Sequence, residues 1–562
     1  MSSGDESSDS DDDDEALERE VQALRSQIAA SPADYETHLK LIAAQRKTGD
    51  LDGVRAAREA MAAVFPLTAD IWTPWLEDEA RLAGTEKERL GVLALHDRAV
   101  GDYLSVPLWL AFVEYAEEAY VVHGVSGGLV AVRAAYERAL AEVGLHFALG
   151  SELWVRFRAF ERRVAEASGG GADRVVALFR KQLRLPMAGL AAVRVEFEQN
   201  AEGGEGEGEA GGLGGDTALQ RDHERALKGA DARAPLENAL IEEVFATQPT
   251  AAQLAPWLEY VQFEAEQKGD ARSRAMAVYE RALACWPLSL ELWLGYIGFA
   301  EEGAGPADKL AQVYSRAVRN ITWSGALWCG YLRSLQQAGA SDEVLQAAFT
   351  QAFGVQLGSP DDVAAIHLQR CSLLRERLST TAHAHGSSAG IATAAATLGE
   401  AFEDAEEAAQ GSPVGLCKLQ RLWAAAAAVP RAMGGLGMPT KARELWDDML
   451  KVAVHEAPAG PMHTVAMGWL ESVEMERRQY VAVSSARLLG DDASGDDVVK
   501  AEYETRVRGL YKRALEAEGL DNPVAICESW LQWEREEATL SNVHVTTQAQ
   551  QSPTQLVLQG HI

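Results

Sequence analysis

A two-part phrase of aromatic residues recurs along this chain between residues 72 and 331. The first part places a tryptophan, an aromatic residue three positions later, and an aromatic residue, Ala or Glu six or seven positions later, as in residues 293–299 (WLGYIGF). The second part combines Tyr or Phe with Arg-Ala and an aliphatic residue, as in residues 314–318 (YSRAV). A fixed period of this kind predicts a stacked array of helical repeats, an architecture that usually binds other molecules rather than catalysing reactions.

The spacing of the tryptophans that begin the phrase is that of paired-helix repeats. Successive tryptophans lie 35 to 45 residues apart within two groups: Trp72, Trp109 and Trp154, and Trp257, Trp293 and Trp328. Two helices and two turns occupy roughly 34–47 residues in such repeats. In the second helix, Tyr136, Tyr279 and Tyr314 begin a stripe that Ala and an aliphatic residue complete on the same face. We predict that these nine aromatic residues form the core between helices rather than a ligand-binding ladder.

The pattern weakens after residue 353 and then returns, so that the chain divides into two repeat blocks that meet near 354–360. The predicted segments are a disordered acidic tail (1–14), an N-terminal block (15–353), a C-terminal block (361–540) and a disordered tail (541–562). Residues 202–216 read as a flexible acidic insertion, and 379–392 and 490–497 as loops. With about twelve units in all, the expected fold is an all-α solenoid of paired-helix repeats forming a superhelix.

Glutamate recurs near the end of the first helix of the phrase. Glu264 lies two turns after Trp257 and nearly on the same helical face, so its carboxylate is expected to be partly buried. Because buried carboxylates rarely stay without a cationic partner, we expect Glu264 to pair with an arginine of a facing second helix, such as Arg281.

The charge and composition of the chain narrow the classes of partner. The formal net charge of -32 argues against a broad phosphate-binding surface and makes basic proteins electrostatically easier partners. The acidic run at the N-terminus contains Ser7, Ser8 and Ser10, which precede acidic residues as acid-directed kinases prefer. These serines are candidate phosphorylation sites; the alternative is that they belong to a tail that is merely solvating. No apolar run approaches the roughly 18–20 residues of a membrane helix, so we expect no membrane contact.

We expect no catalytic, cofactor-binding or metal-binding residues in this chain. The five cysteines are scattered without a C-x-x-C pair, which argues against a zinc site or a disulfide framework. The pair His383 and His385 reads as part of a loop, because no cluster of carboxylates or cysteines flanks it. The glycine-rich stretch 202–216 lacks the phosphate-loop pattern, and its acidic residues would repel phosphate. No arrangement of nucleophile and base stands out, so the chain is predicted not to be an enzyme.

The residue pattern of the two-part phrase resembles the HAT (half-a-TPR) repeat. Proteins with this repeat belong almost wholly to RNA-processing machinery. The segments that carry the likeness are residues 54–83, 133–161, 178–186, 320–332 and 441–450. Within this family the chain looks most like the factors that recycle the U4/U6 small nuclear ribonucleoproteins (snRNPs) for splicing. The resemblance implies a scaffold that docks proteins of the spliceosomal snRNP machinery. It also implies a nuclear location, with the cytoplasm as an additional one.

The resemblance carries two further expectations. In the family, the C-terminal repeat block mediates homodimerisation, and here that block contains Trp446, Trp469, Trp530 and Trp533 at the end of an array that would otherwise expose an apolar face. We therefore predict a homodimer through this region. In the family, RNA is held by RRM domains after the array. The residues up to Ile562 contain no aromatic strand of the RRM type, so we expect direct RNA binding by this chain to be weak or absent.

Three questions about function stay open at the level of sequence. The chain is either the scaffold part of a longer protein or a scaffold without RRM domains. An acidic adaptor or chaperone for basic clients such as histones is an alternative function, driven by the net charge. A HAT subunit of another RNA-processing complex, in mRNA 3′-end cleavage or pre-rRNA processing, is a further alternative.

Overall fold

The chain forms two compact units, Met1–Ile321 and Thr322–Ile562, in the computed structural model. The structure describes all residues except 1–7, 203–215, 241, 243–247, 304–305, 385, 457–464, 489–495, 518 and 537–562. Within the described residues every regular element is helical.

The first unit consists of fifteen α-helices in its described part. They are α1 (Ser8–Ala30), α2 (Tyr35–Thr48), α3 (Leu51–Val64), α4 (Ala69–Leu82), α5 (Glu86–Asp102), α6 (Val106–Glu117), α7 (Gly128–Val143), α8 (Gly150–Ser168), α9 (Ala172–Gln182), α10 (Leu190–Glu202), α11 (Thr217–Ala239), α12 (Ala251–Ala265), α13 (Ala271–Cys285), α14 (Leu290–Glu302) and α15 (Ala307–Asn320). A π-helical turn, Glu118–Val122, extends α6.

The second unit contributes nine further α-helices in its described part. They are α16 (Gly325–Gln337), α17 (Asp342–Gly354), α18 (Pro360–His383), α19 (Ser388–Ala408), α20 (Pro413–Ala428), α21 (Pro439–Glu456), α22 (Val465–Leu488), α23 (Asp496–Glu516) and α24 (Pro523–Glu536). Short 3-10 turns lie at Ala409–Gly411 and Arg431–Met433. From α2 onward the helices alternate as first and second members of antiparallel pairs, and α12–α13, α20–α21 and α22–α23 pack closely. The predicted all-α solenoid of about twelve paired-helix repeats is confirmed.

The first helix of a pair begins in the same way in several repeats. Ser289 and Ser324 cap α14 and α16, and each side chain accepts a hydrogen bond from the backbone N–H three residues later. This satisfies one of the N–H groups that a helix start leaves without an intrahelical partner. The indole Nε1 of Trp293 donates to the carbonyl oxygen of Pro287 at 2.8 Å, and Trp328 makes the same bond to Thr322 at 2.8 Å. The repeated tryptophan therefore fastens the preceding turn as well as filling the core.

The nine repeat aromatics lie in the interior of their units. The exposed fraction ranges from 0% for Trp293 and Tyr136 to 8% for Tyr279 and Tyr314. Aromatic rings of successive helices stack directly, with the ring centroids of Tyr136 in α7 and Phe157 in α8 4.5 Å apart. Burying such side chains contributes roughly 1.5–3 kcal/mol each. The aromatic phrase is therefore inter-helix core in the structure, and none of these rings forms an open ladder.

Several boundaries differ from those expected from the sequence. Helix α1 begins at Ser8, so residues 8–14 of the expected disordered tail are helical. The expected loop 379–392 is largely helical, since α18 extends to His383 and α19 begins at Ser388. Four of its fourteen residues are alanine, the best helix former, and the Ser387 side chain caps α19 by accepting from the Gly390 N–H.

The division into units also lies elsewhere. The boundary between the two units in the chain lies between Ile321 and Thr322. The expected junction at 354–360 falls inside the second unit. Most of the expected acidic insertion 202–216, most of the expected loop 490–497 and the expected tail 541–562 lie outside the described residues.

Candidate functional site

The arginine of the second-helix phrase links neighbouring repeats. Arg316 in α15 donates to the carboxylate of Glu280 in α13 at 2.5 and 2.8 Å, and its guanidinium carbon lies 5.8 Å from the ring centroid of Trp293. Burial acts to raise the pKa of Glu280, but Arg316 and the hydroxyl of Tyr296 lower it below its ordinary value. The arginine thus joins two successive second helices across a tryptophan of the first helix between them.

The same arrangement recurs elsewhere in the first unit. Arg138 donates to Asp97 at 2.6 Å and lies 5.6 Å from the centroid of Trp109. Arg98 donates to Glu59 at 2.8 Å and lies 5.8 Å from the centroid of Trp72. These contacts combine an ion pair with a cation–π contact, and each adds a modest stabilisation at the half-exposed surface.

A second set of ion pairs uses the glutamate at the end of the first helix. Its partner is an arginine three residues before the aromatic of the preceding second helix: Arg133–Glu161 at 2.7 Å, Arg443–Glu476 at 2.5 Å and Arg508–Glu534 at 2.8 Å. The spacing Arg-x-x-aromatic occurs at all three places, with the aromatic residue in the second-helix phrase. This spacing is a sequence sign of the contact, and we did not predict the contact from it.

The expected pairing of Glu264 with an arginine of a facing second helix is confirmed, but the example Arg281 is wrong. Glu264 is buried as predicted, but its carboxylate accepts from Arg233 at 2.6 Å and from Arg274 at 2.9 Å. Arg281 instead pairs with Glu237 at 2.7 Å and lies 5.8 Å from the centroid of Trp257. Helices α12 and α13 are antiparallel, so the end of α12 lies beside the start of α13. Arg281 lies two turns after Arg274 along α13, so it is roughly 10 Å further from the end of α12 that carries Glu264.

The first unit also contains contacts between repeats that are far apart in the chain. Arg319 at the end of α15 donates to the Asp102 carboxylate at 3.2 Å, to the carbonyl oxygen of Ala62 at 2.7 Å and to that of Phe65. The Tyr103 hydroxyl donates to the side-chain oxygen of Asn320 at 2.5 Å. We call this set of interactions between α15 and the region of α3 and α5 the closure contact. It brings the seventh helix pair, counted from α2–α3, onto the first and second.

Asp102 is the central residue of the closure contact. Its side chain is buried, and one carboxylate oxygen accepts from the Leu67 backbone N–H at 2.8 Å and from the Trp72 indole at 2.9 Å. The other oxygen accepts from Arg319. Three donors satisfy a buried charge that would otherwise be costly. Burial raises the pKa of Tyr103, so its hydroxyl keeps its proton and remains a donor to Asn320.

A cavity of about 640 Å³ lies next to the closure contact. Second helices line most of it, namely α3, α5, α7, α13 and α15, and the charged side chains on its wall include Asp97, Arg98, Arg138, Glu142 and Lys309. Both signs of charge are present, and the wall cations Arg98 and Arg138 are engaged in the ion pairs described above. A wall of this kind suits the mixed polar surface of a protein segment more than a single small anion.

The four tryptophans of the predicted dimer region do not form an exposed face. Trp446, Trp469, Trp530 and Trp533 are each 6–7% exposed. The Trp530 ring stacks on Tyr511 with centroids 5.5 Å apart, and the Trp533 indole donates to the Tyr503 hydroxyl at 3.0 Å. The second helix α23 covers the rings that the sequence placed at an uncapped end. These four rings are therefore part of the core of this unit and do not present a surface to a partner.

The remaining predicted sites add little to a functional surface. Ser7 lies outside the described residues, and Ser8 and Ser10 lie in the first turn of α1. His383 ends α18, and His385 is not described. Among the described residues, no group of three or more His, Cys, Asp or Glu is arranged to hold a metal ion. None of the helices that the structure describes is both long and apolar enough to cross a membrane.

Comparisons with known proteins place this architecture in a family. Residues 19–353 match the model of the suppressor of forked protein (Suf) family. The chain is 30% identical over 527 residues to the spliceosome associated factor 3, U4/U6 recycling protein, of Mus musculus. This match covers 93% of this chain and 48% of that protein. Its Homo sapiens counterpart is 29% identical over 533 residues, covering 94% of this chain and 49% of that protein.

Shorter matches concern other proteins. The mRNA 3′-end-processing protein rna14 of Emericella nidulans is 24% identical over 189 residues, which is 32% of this chain and 17% of that protein. The protein suppressor of forked of Drosophila melanogaster is 28% identical over 192 residues, which is 33% of this chain and 24% of that protein. The chain spans about half the length of the U4/U6 recycling proteins it matches. The resemblance inferred from the aromatic phrase is confirmed, and the family model covers more than half of the 562 residues. This chain belongs to the suppressor of forked family of helical-repeat proteins.

Proposed function

We propose that this chain is a non-catalytic scaffold in RNA processing, and that its specific role is in splicing, in the assembly of U4/U6 snRNPs. The observation that carries this proposal is the similarity over 93% of the chain to a protein named as a U4/U6 recycling factor. The chain acts by docking proteins of the spliceosomal snRNP machinery and works in the nucleus.

The geometry of the first unit supports a binding role. Its buried and partly buried charged side chains, such as Arg316, Glu264 and Asp102, form ion pairs between helices. These side chains therefore stabilise the packing of the helices. The cavity beside the closure contact offers a wall of mixed charge on several second helices at once. Such a wall contacts a folded or extended protein partner without requiring a reactive group.

Recovery of RNA with the tagged full-length chain tests the splicing role. We expect U4 and U6 small nuclear RNAs to be enriched over U1 and U2 small nuclear RNAs when the chain is isolated from nuclei. The double variant Glu142→Lys/Lys309→Glu inverts two exposed charges on the cavity wall without a change of net charge and is expected to reduce this enrichment. Equal recovery of all four RNAs would contradict the proposal.

Two alternatives have observations of their own. The net charge of -32 favours an adaptor for basic clients such as histones, and its binding would fall steeply with added salt, whereas docking on the repeat surface would fall less. The match to the mRNA 3′-end-processing protein rna14 favours a role in mRNA 3′-end cleavage. In that case the recovered RNA would consist of pre-mRNA 3′ ends rather than U4 and U6.

We also propose that the chain self-associates through its second unit. The family resemblance supports this proposal. The four tryptophans are buried within the unit, so we expect other residues to form the contact between copies. Light scattering during size-exclusion chromatography of the full chain measures the mass directly. A monomer mass across a concentration series would contradict the proposal, and a dimer mass would support it.

A further inference from the structure

Two neighbouring second helices of the first unit carry a group of basic side chains on their solvent faces. We call this group the basic surface; its members are Arg180, Lys181, Arg184, Arg221, Arg225 and Lys228, from α9 with the turn after it and from α11. Arg184 is 50% exposed and Arg225 is 79% exposed. The group stands out because the chain as a whole is strongly acidic.

The sequence pattern of α11 places its cations in one row. Arg221, Arg225 and Lys228 follow at intervals of four and three residues, so their side chains share one face and span roughly 10 Å along the axis. The opposite face is formed by Leu219 and Ala226, which are buried. The row therefore points away from the core.

Ion pairs hold the end of α9 beside the start of α11. The Arg184 guanidinium lies 3.3 Å from the Asp222 carboxylate, and Arg180 lies 3.9 Å from Asp216. These two aspartates are about one third exposed and lie between the helices. Asp173, Glu224 and Asp231 are exposed acidic residues on the same two helices, and Arg225 also lies 3.1 Å from the Asp222 carboxylate. The six cations outnumber these five acidic groups, whereas acidic residues predominate in the chain as a whole.

We propose that the basic surface binds an acidic segment of a partner protein. Four of its six cations are arginines, whose planar guanidinium groups accept carboxylates in a two-bond geometry. A row of about 10 Å matches three to four residues of an extended peptide. The proposal concerns a surface separate from the cavity and does not depend on the proposed splicing role.

An acidic peptide fits this surface better than single-stranded RNA does. Proteins that bind single strands combine cations with exposed aromatic rings on which bases stack. Phe179 is the aromatic residue of α9 and is fully buried, and α11 contains no Phe, Tyr or Trp. Carboxylates need no stacking partner, so the cations alone can hold them.

Fluorescence anisotropy with a labelled peptide of ten glutamates tests the proposal on the full chain. The variant Arg221→Glu/Arg225→Glu/Lys228→Glu is expected to weaken binding about tenfold or more, because it replaces three attractive charge pairs by repulsive ones. The milder variant with three glutamines should weaken it less and should melt like the wild type by circular dichroism. Affinity should also fall with added salt.

A matched control separates local recognition from net charge. The variant Lys47→Glu/Arg81→Glu/Lys87→Glu makes the same change of net charge at exposed positions outside the basic surface, and it should bind nearly as well as the wild type. Equal weakening in the control would overturn the proposal, as would the absence of peptide binding. Tighter binding of a labelled oligouridine than of the peptide, lost in the α11 variant, would also overturn it, because it would assign the surface to RNA.

Discussion

Arg319 donates a hydrogen bond to the carboxylate of Asp102, a residue 217 positions earlier in the chain, at 3.2 Å. In helical-repeat arrays each repeat ordinarily contacts its immediate neighbours. This pair instead joins the last second helix of the first unit to the end of α5. The first unit is therefore held closed by a small number of polar contacts, and the cavity lies beside them.

A double-mutant cycle measures the strength of this pair. Arg319→Ala removes donors to Asp102, Ala62 and Phe65, and Asp102→Asn removes the charge. We expect a coupling of about 1–3 kcal/mol, because the two groups share one buried network. Hydrogen exchange should also increase at the Leu67 amide in Asp102→Asn. Arg81→Ala, at an exposed pair with Glu77, should change stability by less than about 0.5 kcal/mol. Additive single effects would show that the contact does not stabilise the unit.

Tyr103→Phe tests the second bond of the closure contact. The change removes the hydroxyl that donates to Asn320 at 2.5 Å and leaves the ring in place. We expect a loss of about 1 kcal/mol, because an intramolecular hydrogen bond contributes roughly 0.5–1.5 kcal/mol net. Chemical denaturation of the full chain, followed by hydrogen exchange at α15, gives the value. Tyr120→Phe serves as the matched control. Unchanged exchange at Arg319 and Asn320 would contradict the role assigned to Tyr103.

His96 makes the stability of the first unit depend on pH. Its ring stacks between Phe112 and Tyr115, at 5.6 and 5.3 Å, and burial lowers its pKa to about 4. The unfolded chain binds a proton near pH 6.5 and the folded unit does not, so stability is complete above pH 6.5 and falls as the pH drops towards 4.

The expected loss from this one group is at most about 3 kcal/mol. Unfolding of the full chain in denaturant at pH 7, 6, 5 and 4.5 measures it against His96→Leu, in which this part of the pH dependence should disappear. His123→Leu, at a more exposed histidine, is the control for the loss of an imidazole. Parallel curves for the wild type and His96→Leu would contradict the prediction.

The ion pairs of Glu264 provide a test of repeat geometry. Glu264→Ala leaves Arg233 and Arg274 without their carboxylate in a buried position, so we expect a loss of about 3–5 kcal/mol. A cycle between Glu264 and Arg233 should show strong coupling in denaturant unfolding. The corresponding cycle between Glu264 and Arg281 should show little. Strong coupling to Arg281 would restore the pairing expected from the sequence and contradict the structure.

Much of the fold follows from local pattern. An α-helix turns once every 3.6 residues, so apolar residues at that period lie on one face of the helix. The regular spacing of the tryptophans repeats such a face along the chain, and each face needs another helix to cover it, which predicts paired helices. The burial of Glu264 follows in the same way, from its position two turns after Trp257. Its partner did not follow, because the choice among Arg233, Arg274 and Arg281 depends on which ends of two antiparallel helices lie side by side.

The tryptophans of the second unit show where such reasoning ends. Trp530 and Trp533 have the spacing of core residues and also lie near the end of the repeated pattern, so the sequence allows either burial or an exposed face. Packing against Tyr503 and Tyr511 of α23 decides the matter in favour of burial. Helical pattern specifies which side of a helix is apolar, and the neighbouring helix specifies whether that side is covered.

The sequence alone therefore established the repeat, the helical class and the family, because these depend on periodic spacing of side chains along one helix or a pair. Only the tertiary structure revealed that Arg319 and Asn320 meet Asp102 and Tyr103. This contact depends on the small rotation between successive repeats, summed over many of them, and no single residue encodes that sum. The closed first unit and its cavity are consequences of that accumulated geometry.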